Sequence, residues 1–162
     1  MTDTIKARAE QIEKPLEQEA RAKGGYYDRQ RVANRYALER FLYRVGQSAY
    51  MDQFVLKGAL LLVIYIPEAN RPSRDADFQL RGVSTSDQLR GVLQDICKIE
   101  HNDGLRIDYQ SIQIDPAGAD RNYPGYTARI PVILGSLKCP IHLDFGFGEA
   151  ITPPEIGQSP VQ

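Results

Sequence analysis

The sequence is poor in the residues that build disulfide frameworks and zinc sites. It contains two cysteines, Cys97 and Cys139, two histidines, His101 and His142, and no tryptophan. A disulfide framework needs several paired cysteines, and a structural zinc site needs four well-spaced nitrogen or sulfur ligands. A disulfide framework is therefore excluded, and a Cys/His zinc site is disfavoured. One disulfide between the two cysteines stays open, but we favour reduced, buried and chemically inert thiols.

The sequence also lacks an excess of charge of either sign and any long apolar run. Twenty Lys and Arg against 21 Asp and Glu give a net charge of −1, which excludes a uniformly basic nucleic-acid-binding protein. The longest apolar run, 59–66, is too short to cross a bilayer, and no apolar targeting segment is visible. We therefore expect a cytoplasmic protein, and the 42% of apolar and 25% of charged residues are typical of a globular one.

Apolar periodicity predicts helices and strands in a mixed order. Helices are predicted over 4–23 with a break near Pro15, over 28–45, and over 87–99 with Ser84 or Ser86 as the cap. Strands are predicted over 74–80, 105–114, 126–134 and 138–145, the last two joined by a turn at Gly135-Ser136. The stretch 59–65 fits a strand or a buried helix equally. This order predicts an α/β or α+β fold with a mixed, mostly antiparallel sheet flanked by helices.

Composition divides the chain into three regions. We expect residues 1–25 to form a helical segment that packs on the core and residues 26–150 to form the core itself. Residues 151–162 contain three of the ten prolines, and we interpret them as a Pro-rich tail that links to a region absent from this sequence.

The most informative feature is a set of acidic residues on predicted strands. Asp75 and Asp77 are two positions apart, so a strand places both on one face, and Asp144 is a lone acid in an apolar strand context. Carboxylates that share a face repel one another unless a cation lies between them. Three acids on adjacent strands predict a two-metal site for Mg²⁺ or Mn²⁺. The alternative is a solvated sheet edge on which Arg74 neutralises the pair.

A lysine and a glycine precede the acidic strand. At Lys57-Gly58 the chain passes into an apolar element, where a glycine lets phosphates approach backbone N–H groups at a helix N-terminus. Lys57, Arg71 and Arg74 are then candidate phosphate-binding cations. An ordinary strand-to-helix turn is the alternative interpretation of this glycine.

Together these motifs resemble the AbiEii-type nucleotidyltransferase toxins, members of the polymerase-beta-like nucleotidyltransferase superfamily. The resemblance lies in 56–62, Arg71–Phe78 and His142–Glu149, with support from Arg35–Arg44 and Tyr123–Arg129. It implies a nucleotidyltransferase fold and metal-dependent transfer of a nucleoside monophosphate from an NTP to an acceptor. Some members of the family modify the acceptor end of tRNA, and their usual partner is an antitoxin protein.

Carried onto this sequence, the resemblance implies a role for each motif residue. Asp75, Asp77 and Asp144 would ligate the metals, and Asp144 would also help to deprotonate the attacking hydroxyl. The implied NTP-binding residues are Lys57, Gly58, Ala59, Arg71, Ser73 and Arg74. Family members also carry a C-terminal helical region, which we expect this chain to lack.

Two other functions remain open from the sequence. The chain could be a catalytically inactive remnant that binds an NTP or an antitoxin, or a metal-dependent nuclease built from the same acids; the glycine motif argues against the nuclease, which has no triphosphate to hold. We expect His142 to be structural and to lie on a different strand face from Asp144.

Overall fold

The computed structural model describes residues 3–22, 29–57, 75–117 and 125–146. Its helices are α1 (Asp3–Ala22), α2 (Arg29–Gln47) and α3 (Ser86–Cys97), and short 3-10 turns lie at Met51–Gln53 and Tyr109–Ser111. Its strands are β1 (Phe54–Lys57), β2 (Asp75–Leu80), β3 (Leu105–Ile107), β4 (Gln113–Pro116), β5 (Gly125–Ile130), β6 (Val132–Leu134), β7 (Leu137–Lys138) and β8 (Ile141–Gly146). None of the helices in these ranges is long and apolar enough to cross a membrane.

The strands form two sheets. One has five strands in the order β1-β2-β8-β5-β4, and the other has three in the order β3-β6-β7. Strands β2 and β8 run parallel, while the other neighbouring strands of the described sheets run antiparallel. The prediction of an α+β fold with a mixed, mostly antiparallel sheet is confirmed.

One face of the five-stranded sheet forms the core with α2 and α3. Alternate residues of the central strands are buried there, among them Phe78 on β2, Leu143 and Phe145 on β8, and Ile130 on β5. They pack in one apolar cluster with residues of α2 and α3. The inward residues predicted for α3 are all buried: Leu89, Val92, Leu93 and Ile96. Because side chains alternate along a strand, the intervening residues lie on the opposite face of the sheet.

The observed strands are shorter than the predicted ones, because each of two predicted strands is divided between the two sheets. The predicted strand 126–134 is interrupted at Pro131, which has no N–H to donate, so β5 and β6 lie in different sheets. The predicted strand 105–114 is divided into β3 and β4 by the 3-10 turn. The hairpin turn at Gly135-Ser136 is confirmed, and Gly135 has a φ of 62° that favours glycine.

The helices differ from prediction at their breaks and caps. Helix α1 runs through Pro15 without the predicted break, and packing of Ile12 and Leu16 on the core offsets the lost backbone hydrogen bond. Helix α3 is capped by Thr85 rather than by Ser84 or Ser86. The Thr85 side chain accepts a hydrogen bond from the Gln88 N–H, and Gln88 bonds back to the cap in a capping box.

A buried ion pair joins α2 to the loop after α3. The Arg44 guanidinium donates two hydrogen bonds to the Asp103 carboxylate, at 2.7 and 3.2 Å, and both side chains are 4% exposed. Beside this pair, Gly104 has a φ of +77°, and a Cβ there would lie 3.0 Å from the Ala9 backbone. Because Gly104 has no side chain, α1 can pack closely against the loop between α3 and β3. The division into regions 1–25, 26–150 and 151–162 stays a prediction.

Candidate active site on the polar face of the sheet

The face of the five-stranded sheet opposite the core carries polar side chains. On β8, His142 is exposed and Asp144 half-buried, between the buried residues Ile141, Leu143 and Phe145. On β5, Thr127 is half-buried and Arg129 exposed, whereas Ala128 and Ile130 are buried. On β4, Gln113 and Asp115 are exposed. We call the face defined by Asp77, His142, Asp144, Thr127 and Arg129 the acid face.

The strand register brings two of the three predicted carboxylates side by side. Asp77 on β2 is the direct partner of Asp144 on the parallel strand β8. Neighbouring strands are about 4.8 Å apart, so the two carboxylates leave their backbones at roughly that separation and on the same face. Asp75 lies two pairs along, opposite His142; the structure describes its backbone, which places it on the same face as Asp77.

Side-by-side carboxylates are unfavourable without a cation. Like charges directly opposite one another destabilise a sheet, and Asp77 is exposed with no hydrogen bond or ion pair to the described residues. Oxygen ligands of this kind suit Mg²⁺, which commonly binds through one or two carboxylates. Among the side chains that the structure describes there is no group of three metal-ligating residues. The described donor set is therefore a pair, Asp77 and Asp144, that fits a divalent cation.

The remaining predicted site residues lie beside this pair or outside the described residues. Lys57, at the end of β1, is the backbone partner of Asp77, so the lysine and the acid occupy neighbouring positions of the sheet. The other predicted NTP-binding residues lie outside the described residues: Gly58, Ala59, Arg71, Ser73 and Arg74.

The predicted placement of His142 is wrong. His142 and Asp144 are two residues apart on one strand and therefore share a face, and His142 is exposed there. The same register places Arg129 opposite His142 and Thr127 opposite Asp144.

Sequence reasoning missed Thr127 and Arg129, although the hairpin turn contained the signal. Thr127 lies eight residues before Gly135, and Asp144 lies eight residues after Ser136. The observed pairs of β6 with β7 and of β5 with β8 all join residues at equal distances from this turn. Counting equal steps from the predicted turn would have paired them.

The two thiols lie apart from the acid face and are buried, as predicted. Cys97 and Cys139 are both free, and burial raises the pKa of each to about 12. A thiol with so high a pKa stays protonated and is a poor nucleophile and metal ligand near neutral pH. A cavity lined by residues of α1, by Arg44 of α2 and by residues of 97–109 includes Cys97 and His101 but no residue of the acid face.

Comparison with known proteins identifies the family that this arrangement belongs to. Residues 40–162 match the family described as nucleotidyl transferase AbiEii toxin, type IV TA system. No curated protein matches the chain. The family match covers about three quarters of the chain and includes the whole acid face. The chain therefore belongs to the AbiEii nucleotidyltransferase toxins of type IV toxin–antitoxin systems.

Proposed function

We propose that this nucleotidyltransferase transfers a nucleoside monophosphate from an NTP to a tRNA acceptor in a reaction that requires Mg²⁺ or Mn²⁺. The observation that supports it most directly is the register of Asp77 against Asp144 on adjacent parallel strands. Two carboxylates at this spacing, with Asp75 on the same face, form a donor set that suits divalent cations bound with phosphate oxygens.

The acidic residues of the proposed site share one task, and Asp144 has a second. Asp75, Asp77 and Asp144 would hold the metal ions, which when bound neutralise the charge on the transferring phosphoryl group. An acceptor hydroxyl oxygen attacks the α-phosphorus of the NTP, the bond to the bridging oxygen of the β-phosphate breaks, and pyrophosphate leaves. The Asp144 carboxylate accepts the proton of the attacking hydroxyl. Positioning and charge neutralisation supply most of the rate enhancement in such reactions.

One of the proposed triphosphate-binding residues, Lys57, has its backbone next to the acid-bearing strand β2. Lys57 on β1 is the backbone partner of Asp77 on β2. The other proposed phosphate contacts follow Lys57 in the sequence: Gly58, Ala59, Arg71, Ser73 and Arg74. Because Ala59 has no hydroxyl, backbone N–H groups and cations would contact the phosphates. Family membership also suggests a protein antitoxin as partner, and with NTP and tRNA as substrates we place the reaction in the cytoplasm.

The test is a transfer assay with separately labelled nucleotides. The protein is incubated with Mg²⁺, total tRNA and each NTP, labelled with ³²P at either the α- or the γ-phosphate. We expect label from one or more α-labelled NTPs on RNA, none from γ-labelled NTPs, and none after chelation with EDTA. Asp77→Asn and Asp144→Asn should lower the rate about 1000-fold, which corresponds to ~4 kcal/mol of metal-dependent stabilisation.

Asp87→Asn is the matched control, because Asp87 is an exposed aspartate at the start of α3 and should retain the rate. Full activity of Asp144→Asn would contradict the site. Shortening of the RNA without incorporation of label would favour the nuclease. Absence of both transfer and metal-dependent NTP binding would favour the inactive remnant.

A further inference from the structure

Arg129 is an exposed cation on the acid face that the proposed reaction leaves without a role. It lies on β5, opposite His142 and two residue pairs along from the Thr127–Asp144 pair. Its side chain makes no hydrogen bond or ion pair with the described residues, and its exposed guanidinium faces the solvent above the sheet. Arginine is suited to such a position, because its planar group binds phosphate oxygens in pairs.

The neighbours of Arg129 leave its charge available. Gln113 on β4 is its direct partner, and Asp115 on the same strand is the partner of Thr127, so Asp115 is the diagonal acidic neighbour of Arg129. No ion pair joins the two within the described residues. Asp144 lies on the adjacent strand in the other diagonal direction. A cation that remains unpaired between carboxylates is available to an anionic ligand.

The strand order shows which substrate Arg129 would meet. Lys57 is on β1, on one side of the two acid-bearing strands, and Arg129 is on β5, on the other side. If the triphosphate lies toward β1, the β5 side of Asp144 is left for the acceptor, whose hydroxyl must reach Asp144. We propose that Arg129 binds a backbone phosphate of the acceptor RNA and so positions the reacting hydroxyl of that RNA at Asp144. This inference rests on the function proposed above.

The experiment measures RNA binding separately from transfer. Affinity for fluorescently labelled tRNA is measured by anisotropy over a range of salt concentrations, for the wild-type protein, Arg129→Gln and Arg129→Lys. Loss of one charged contact should weaken binding by Arg129→Gln about tenfold and reduce the slope of log affinity against log salt by roughly 0.7 to 0.9. Arg129→Lys should retain the slope. Arg106→Gln is the control, since Arg106 is an exposed arginine of β3 in the other sheet.

Transfer kinetics then separate the acceptor from the nucleotide. We expect Arg129→Gln to raise KM for tRNA about tenfold and to leave KM for the NTP unchanged. A raised KM for the NTP with an unchanged tRNA salt slope would overturn the assignment, because the guanidinium would then serve the triphosphate. Unchanged binding and kinetics, or an effect matched by Arg106→Gln, would also overturn it. If the wild-type protein binds tRNA through Arg129 but transfers no label, the RNA contact stands and the proposed reaction fails.

Discussion

At the residue scale, the defining feature is a pair of like charges placed directly opposite one another. A sheet gains from cross-strand pairs that attract or pack, and opposed carboxylates do neither. In this protein Asp77 and Asp144 nevertheless occupy matched positions of neighbouring strands. Under the proposed function such a pair has a purpose, because a cation bound between the carboxylates would turn their repulsion into a binding site.

A cation site at the opposed carboxylates predicts opposite effects of Asp77→Asn on stability and on the response to metal. In metal-free buffer, removal of one charge should raise the free energy of unfolding by about 0.5 kcal/mol. For the wild-type protein, Mg²⁺ at 100 times its dissociation constant should add ~2.7 kcal/mol, and the variant should lose most of that gain. Urea unfolding with and without Mg²⁺ measures both effects. Asp87→Asn should respond to Mg²⁺ as the wild type does, and an undiminished response of Asp77→Asn would remove Asp77 from the metal site.

At the scale of elements, local signals predicted where helices and strands lie better than where they end. The apolar stripe of α3 and the turn at Gly135-Ser136 are short-range patterns, and both are confirmed. The ends depend on hydrogen bonds that several neighbouring residues could make. Three hydroxyl residues, Ser84, Thr85 and Ser86, precede α3, and the backbone conformation selects Thr85, whose ψ of 157° is extended.

The cap of α3 is therefore testable by substitution along this run. Thr85→Ala should lower the free energy of unfolding by about 1 kcal/mol, because it leaves the Gln88 N–H without its acceptor. Ser86→Ala lies within the helix and should change stability by less than about 0.5 kcal/mol. Midpoints of urea unfolding at constant slope report the difference. A larger loss in Ser86→Ala than in Thr85→Ala would show that the cap is misassigned.

At the scale of the whole molecule, the helices and sheets formed by the described residues share one buried core, which also contains both thiols. Cys97 is at the end of α3 and Cys139 is between β7 and β8, so burial at both positions depends on the assembled fold. Burial raises the pKa of each thiol from the ordinary value of 9.0 to about 12. The folded state therefore keeps protons that the unfolded state releases in alkaline solution.

The sign of this linkage predicts a loss of stability as the pH rises from about 9 toward 12. Above pH 9 the unfolded chain binds fewer protons than the folded one, so alkali favours unfolding. Between pH 8 and pH 10 each thiol should cost about 1.4 kcal/mol. Urea unfolding at the two pH values is compared between the wild type and the double variant Cys97→Ala, Cys139→Ala. An equal loss in both proteins would show that the thiols are not the titrating groups.

The local features of the site can be predicted from the sequence alone. The spacing of Asp75 and Asp77 placed both on one strand face, and the lone Asp144 between apolar residues marked a second acid-bearing strand. Both are consequences of the period of two along a strand, which is set within a few residues. The resemblance of the surrounding motifs was sufficient to predict the family.

Which strands are neighbours depends on the packing of the folded chain. Asp77 and Asp144 are 67 positions apart in the sequence, and no short-range preference specifies that β2 and β8 pair in parallel with these residues opposite one another. That arrangement follows from burying the core face of the whole sheet against α2 and α3, since a shift of one residue would turn the buried side chains of β8 outward. The same long-range packing placed His142 and Arg129 on the acid face and divided the predicted long strands between two sheets.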